Sequence, residues 1–234
     1  MKKIILTAIV ALTATAAAYA QEPLRVSILG DSYSTFEGKV SPYWNALWYF
    51  AEGSELGSQE NDVKKVEQTW WYQVIDEMGY KLEKNNAFSG ATICFSGYKD
   101  RSGNFSDYSD RSFIVRASDL GHPDIILVCG CTNDAWCGAP IGDYKWKKWT
   151  NEDLYTFRPA MAKMCDELKT LYPKARILFM LNSELSDEIN ESVHTVCKHY
   201  KIECLDLHDI DKQMGHPSQA GMRAIADQVK ACLR

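Results

Sequence analysis

The sequence predicts an α/β fold with helices covering both faces of a parallel sheet. Three observations lead there. Five short β-branched or aliphatic runs recur along the 234 residues, and helical apolar stripes fall between them. The composition is 46% hydrophobic with only 14 Gly and 7 Pro, which excludes disordered, collagen-like and low-complexity classes. No internal repeat, charged run or linker interrupts the alternation, so one domain with its own large core is expected over residues 21–234.

The first run, Leu24 to Leu29, ends at Gly30, as a strand ends at a tight turn. Similar runs follow at Lys81 to Asn86, Asp124 to Cys129, Ala175 to Leu181 and Ile202 to Leu207. Trp70, Trp71, Val74, Ile75 and Met78 repeat at helical spacing, and Phe113, Val115, Arg116 and Leu120 do so more weakly. The clearest stripe is Leu154, Phe157, Met161, Met164, Cys165, Leu168 and Leu171, with Pro173 just beyond it. Ile189, Val193, Val196 and Cys197 form another, and Ala220, Ile225, Val229 and Leu233 the last.

Residues 1–20 read as a secretory signal peptide: Lys2 and Lys3, an apolar stretch from Ile4 to Ala18, and Ala18-Tyr19-Ala20 before Gln21. The stretch is short and Thr-diluted beside the roughly 20 apolar residues a membrane anchor needs. The first cysteine after it is Cys94, so no lipid attachment residue follows cleavage. Export to a periplasmic or extracellular compartment is the expectation. The net charge of −5, with scattered basic residues, excludes a nucleic-acid surface. An oxidising compartment permits disulfides among the eight cysteines. Cys129 reads as a buried thiol, whereas Cys131 with Cys137, or Cys197 with Cys204, could close a small ring. Cys129, Cys131 and Cys137 lack the spacing of a structural zinc site.

In open α/β sheets the ligand lies outside the carboxyl ends of the strands, so chemistry is sought there. After the first strand, Gly30-Asp31-Ser32 can present a serine nucleophile at a sharp turn, although Ser and Asp also serve as helix N-caps. After the second, Ser89-Gly90-Ala91-Thr92 lets a backbone N–H approach a ligand. Thr132-Asn133-Asp134 brings an amide to the same rim after the third, or simply an Asx-turn. His216, in Gly215-His216-Pro217, is expected on a loop before the last helix.

These four blocks, in this order, resemble those of the SGNH hydrolases, the GDSL esterase and lipase family. The resemblance runs from about residue 24 to the C-terminus. It implies a flavodoxin-like, three-layer α/β/α sandwich around a parallel five-stranded sheet. It also implies Ser32 as nucleophile, His216 as base, and an oxyanion hole made by the N–H groups of Ser32 and Gly90 and the side chain of Asn133. Two departures stand out. Gln213 occupies the place of the family's Asp, three residues before the His, and Cys131 stands where a Gly is common. Gln carries no charge for an imidazolium. Asp211, Glu184 or a backbone carbonyl behind a bare Ser32–His216 dyad are the substitutes, with the dyad plus Asp211 as a weak third member the preferred reading.

The resemblance implies an acyl-enzyme esterase needing no metal or organic cofactor, working as a monomer on a small-molecule or oligosaccharide ester. The aromatics between Phe36 and Phe50, with Trp136, Trp146 and Trp149, suit stacking on sugar rings, so deacetylation of carbohydrate is expected first. The same aromatics can instead pack on one another. A lysophospholipase or thioesterase, and an inactive carbohydrate-binding protein on the same fold, are the alternatives. Metal hydrolysis through Asp206, His208 and Asp209 is disfavoured, because adjacent strand residues point to opposite faces.

Overall fold

The computed structural model describes residues 22–234, so the expected leader lies outside the described residues. The strands are β1 (Arg25–Gly30), β2 (Lys81–Ala87), β3 (Ser96–Lys99), β4 (Phe105–Asp107), β5 (Ile125–Gly130), β6 (Arg176–Leu181), β7 (Glu203–Asp206), β8 (Lys212–Gln213) and β9 (His216–Pro217). The helices are α1 (Trp70–Glu77), α2 (Phe113–Arg116), α3 (Thr132–Cys137), α4 (Phe157–Leu171), α5 (Asp187–Tyr200) and α6 (Gln219–Leu233). The main sheet is parallel throughout, in the order β2-β1-β5-β6-β7. It is the predicted five-stranded α/β sheet.

Strand composition follows position in the sheet. Central β5 is buried along its whole length, whereas edge strands β2 and β7 carry the exposed Lys81, Glu203 and Asp206, which discourage pairing with another chain. Side chains alternate between two cores. Val26, Ile28 and Leu127 face α1 and α6 beside Trp70, Trp71, Ile225 and Val229. Leu29, Ile126 and Val128 face the opposite layer beside Phe113, Phe157, Met161 and Val193. Burying each such side chain contributes about 1.5–3 kcal/mol, so the two cores hold the sheet between its helix layers.

Several elements depart from the sequence reading, each for a local reason. The weak stripe around Phe113 yields only the single turn α2, with Val115 exposed. The strong stripe begins its helix at Phe157, because Thr156 is extended and Glu152–Tyr155 forms a 3-10 turn; Leu154 still packs on the core. The segment after β5, where Thr132-Asn133-Asp134 left an Asx-turn open, is helix α3. His216, expected on a loop, lies in β9, paired with Gln213 of β8. All eight cysteines are unpaired, so neither anticipated ring is closed. Cys129 is a buried thiol as expected.

Candidate active site

Four chain segments meet at the carboxyl ends of β1, β2 and β5. Gly30 ends β1 under a turn so tight that a β-carbon there would lie 2.6 Å from that of Ser34. Asp31 then caps a 3-10 turn over Ser32–Ser34, its carboxylate accepting the Tyr33 N–H at 3.0 Å. The capping role and the nucleophile role therefore fall to adjacent residues, Asp31 and Ser32. Ser32 Oγ lies 2.9 Å from His216 Nε2, joining residues 184 positions apart.

The base is oriented by main chain. His216 Nδ1 lies 3.0 Å from the Met214 carbonyl, an acceptor only, so Nδ1 carries the proton and Nε2 is left to accept the Ser32 hydroxyl. Met214 and Gly215 both have positive φ, 52° and 75°, between the paired Gln213 and His216. This is the two-residue turn of a tight hairpin, and it aims the Met214 carbonyl at the ring of His216. Burial pushes the His216 imidazole down to about 4, nearby Lys212 adds to this, and the Met214 carbonyl works against it.

The expected third member is corrected here. The Asp211 carboxylate accepts the hydroxyl of Ser218, which in turn caps α6 by accepting the Gly221 N–H at 3.2 Å. Asp211 thus braces the start of a helix and does not reach the imidazole. Glu184 pairs with Lys212 at 2.9 Å. Gln213 uses its side-chain oxygen to hold the Asp62 N–H at 2.8 Å.

The donors expected to hold an oxyanion are tied together by groups the sequence reading missed. Asn133 Nδ2 donates to the Ala91 carbonyl at 3.0 Å, and Asn133 Oδ1 accepts the Tyr98 hydroxyl at 2.8 Å. A reversed amide would oppose its oxygen to the Ala91 carbonyl, so these two bonds fix the amide and leave one Nδ2–H without a protein acceptor among the described residues. Asp134 is buried, and its carboxylate takes the N–H groups of Ile93 (2.8 Å) and Cys94 (3.1 Å), clamping the Gly90 loop to α3. Burial pushes Asp134 up to about 6 and Asp31 up to about 7. Gly90 has φ of 82° and open space where a β-carbon would stand. Among the described residues, the N–H groups of Ser32 and Gly90 donate to no other protein group. Cys131 adopts φ of 75°, a left-handed conformation that accounts for the Gly expected there, and Asn133 stays in register. Arg116, which the sequence marked only as part of a weak stripe, is buried and donates to the Gly30 and Asn86 carbonyls.

The aromatic insertions divide. Trp48 stacks on His216, and Trp136 stands exposed at its edge, while Trp44 lies exposed beside Phe88 of the Gly90 loop. Trp146 instead stacks on Tyr144 and on His199 of α5, and Trp149 bonds the Lys145 carbonyl. His194, Cys204 and Asp206 bring donor atoms within 4.8 Å of one another on α5 and β7, at the sheet edge opposite β2.

A family model described as GDSL-like lipase/acylhydrolase matches residues 24–233. A crystal structure named as a GDSL-like lipase from Bacteroides ovatus is 54% identical, with a TM-score of 0.86 over 92% of this chain and 99% of its own. Its counterpart from Bacteroides uniformis is 55% identical, with a TM-score of 0.86 over 91% and 96%. An acetyl xylan esterase from the rumen bacterium Butyrivibrio proteoclasticus shares the fold, at 15% identity and a TM-score of 0.55 over 92% and 64%. Comparison with curated proteins gave no match.

Proposed function

The chain belongs to the GDSL-like lipase/acylhydrolase family, and from that premise we propose that it is an exported carboxylic ester hydrolase working through an acyl-enzyme on Ser32. The 2.9 Å contact between Ser32 Oγ and His216 Nε2 carries the reading. In it, Nε2 takes the hydroxyl proton as Ser32 attacks the ester carbonyl. The tetrahedral oxyanion is received by the N–H groups of Ser32 and Gly90 and by the free Nδ2–H of Asn133. As the intermediate collapses, the imidazolium hands its proton to the departing alcohol. Water then attacks the acyl-enzyme with Nε2 again as base, returning Ser32 and a carboxylic acid.

Carbohydrate bearing acetyl or similarly small acyl groups is the substrate class we favour. Exposed Trp136 stands at the edge of His216 with exposed Met214 in the turn before it, and exposed Trp44 packs beside Phe88 of the Gly90 loop, offering flat apolar faces rather than an aliphatic lid. The acetyl xylan esterase on the same fold is consistent with this choice. A fluorophosphonate probe is expected to label the wild type and not Ser32→Ala. Hydrolysis of acetylated sugars is expected to exceed that of long-chain esters; the reverse order points to a lysophospholipase or thioesterase. A folded wild type that takes no label and cleaves no ester overturns the enzyme reading in favour of carbohydrate binding. Export predicts a mature protein beginning at Gln21, which the intact mass of the secreted product checks.

A further inference from the structure

Proton transfer from Ser32 turns a buried imidazole into a cation with no carboxylate beside it. His216 is 5% exposed, and its Nδ1 meets only the Met214 carbonyl. Burial, with Lys212 adding to it, holds the ring's proton affinity well below its ordinary value against the pull of the Met214 carbonyl. Further support for the cation must therefore come from elsewhere in the site.

Aromatic rings surround this imidazole. The indole of Trp48 lies parallel to it, 9° between planes and 3.5 Å between centroids. Tyr33 stands 5.4 Å away and tilted, Trp136 5.7 Å away and edge-on, and Tyr49 6.4 Å away and edge-on. Three of them, Trp48, Tyr33 and Tyr49, are anchored to the chain around the base or the nucleophile. The backbone N–H of Trp48 donates at 2.9 Å to Thr35 Oγ1, whose own hydroxyl donates at 3.0 Å to the Ser32 carbonyl. The Tyr33 hydroxyl donates to the Gly215 carbonyl and the Tyr49 hydroxyl to the Pro217 carbonyl, both at 2.8 Å. The charged group facing the ring is Lys212 of β8, which Glu184 engages at 2.9 Å. The Met214 carbonyl and the stacked face of Trp48 are what meet the new charge with the opposite sign.

We propose that Trp48 is an electrostatic positioning residue: its indole face, at the centre of an aromatic cage, stabilises the His216 imidazolium in place of the missing carboxylate. The π face of an indole is negative, and Trp is the strongest cation–π partner among the side chains. An interaction made only once the ring is charged lowers the barrier without tightening the ground state. This inference rests on the ester-hydrolase reading for its kinetic part and on the ring geometry alone for the rest.

The experiment replaces Trp48 with mono-, di- and tetrafluorotryptophan by stop-codon suppression, which withdraws charge from the face while nearly preserving shape. Rates on p-nitrophenyl acetate are expected to fall stepwise with fluorine number, reaching about three- to thirty-fold in kcat with KM unchanged. The imidazole titration of His216, followed by NMR and assigned with His216→Asn, is expected to move to lower pH in the same order. Trp48→Phe, which keeps a face, is expected to fall between wild type and Trp48→Leu. A His216 titration that ignores fluorination overturns the cage. A titration that steps down in a protein with no ester hydrolysis supports the cage and overturns the esterase instead.

Discussion

Removing the Tyr98 hydroxyl tests whether the oxyanion donor is oriented as the hydrogen bonds require. In Tyr98→Phe, Asn133 Oδ1 loses its 2.8 Å donor while Nδ2 keeps the Ala91 carbonyl, so the amide is held from one side only. A hydrogen bond of this kind contributes about 1 kcal/mol, which corresponds to roughly a fivefold loss of kcat. Asn133→Ala deletes the donor outright, at about 100- to 1000-fold in kcat. If Tyr98 acts through the amide, the double variant is no slower than Asn133→Ala alone, and the coupling energy equals the whole Tyr98→Phe effect of about 1 kcal/mol. Initial rates on p-nitrophenyl acetate for the four proteins, with melting temperatures to establish folding, give the cycle. Multiplying effects in the double variant would refute the reasoning, because Tyr98 would then act by some route other than Asn133.

Two further outcomes follow from the base and its surroundings. Asp211→Asn is expected to leave kcat within about threefold while lowering stability by about 1 kcal/mol through Ser218, measured by chemical denaturation; a loss near 10⁴-fold would restore Asp211 as a triad acid. With His216 held near 4, kcat/KM is expected to stay level through the neutral range and halve near that pH, not near the ordinary imidazole value of about 6.5. The stability sign is set by the same shift. The folded state binds its proton less readily than the unfolded chain, so the contribution of His216 is whole above about 6.5 and drains as pH falls toward about 4. Burial raises Asp31 and Asp134, which act in the opposite sense. Comparing wild type with His216→Asn subtracts them, and a difference in melting that does not change across this window counts against the assignment.

What could be read from the chain was what local pattern encodes. Three of the five main strands, β1, β5 and β6, announced themselves by buried, largely apolar runs, and the Gly30, Gly90 and Asn133 blocks because each follows a strand. The short pieces were illegible for a physical reason. The β8–β9 hairpin contains four paired residues and no hydrophobic alternation, and α3 is six residues long. Tertiary contacts, not propensity, hold both in place. The support for the site was hidden for the same reason. Tyr98 sits 35 positions from Asn133 and Trp48 far from His216, and nothing in their neighbourhoods marks them as partners. The missing acid was visible at Gln213, but its replacement was not, because a carbonyl belongs to every residue and only the turn at Met214–Gly215 selects this one.

Because the partner of the imidazole is a peptide oxygen, no exchange of one side chain for another can erase it, and no acid can protonate it within the working range of a protein. A carboxylate in that role is a single codon away from loss. Here position 213 has been released to tether the loop at Asp62. The vulnerability moves to the length of the turn: inserting or deleting one residue between Gln213 and His216 would swing the oxygen off its target while leaving both reacting side chains in the sequence.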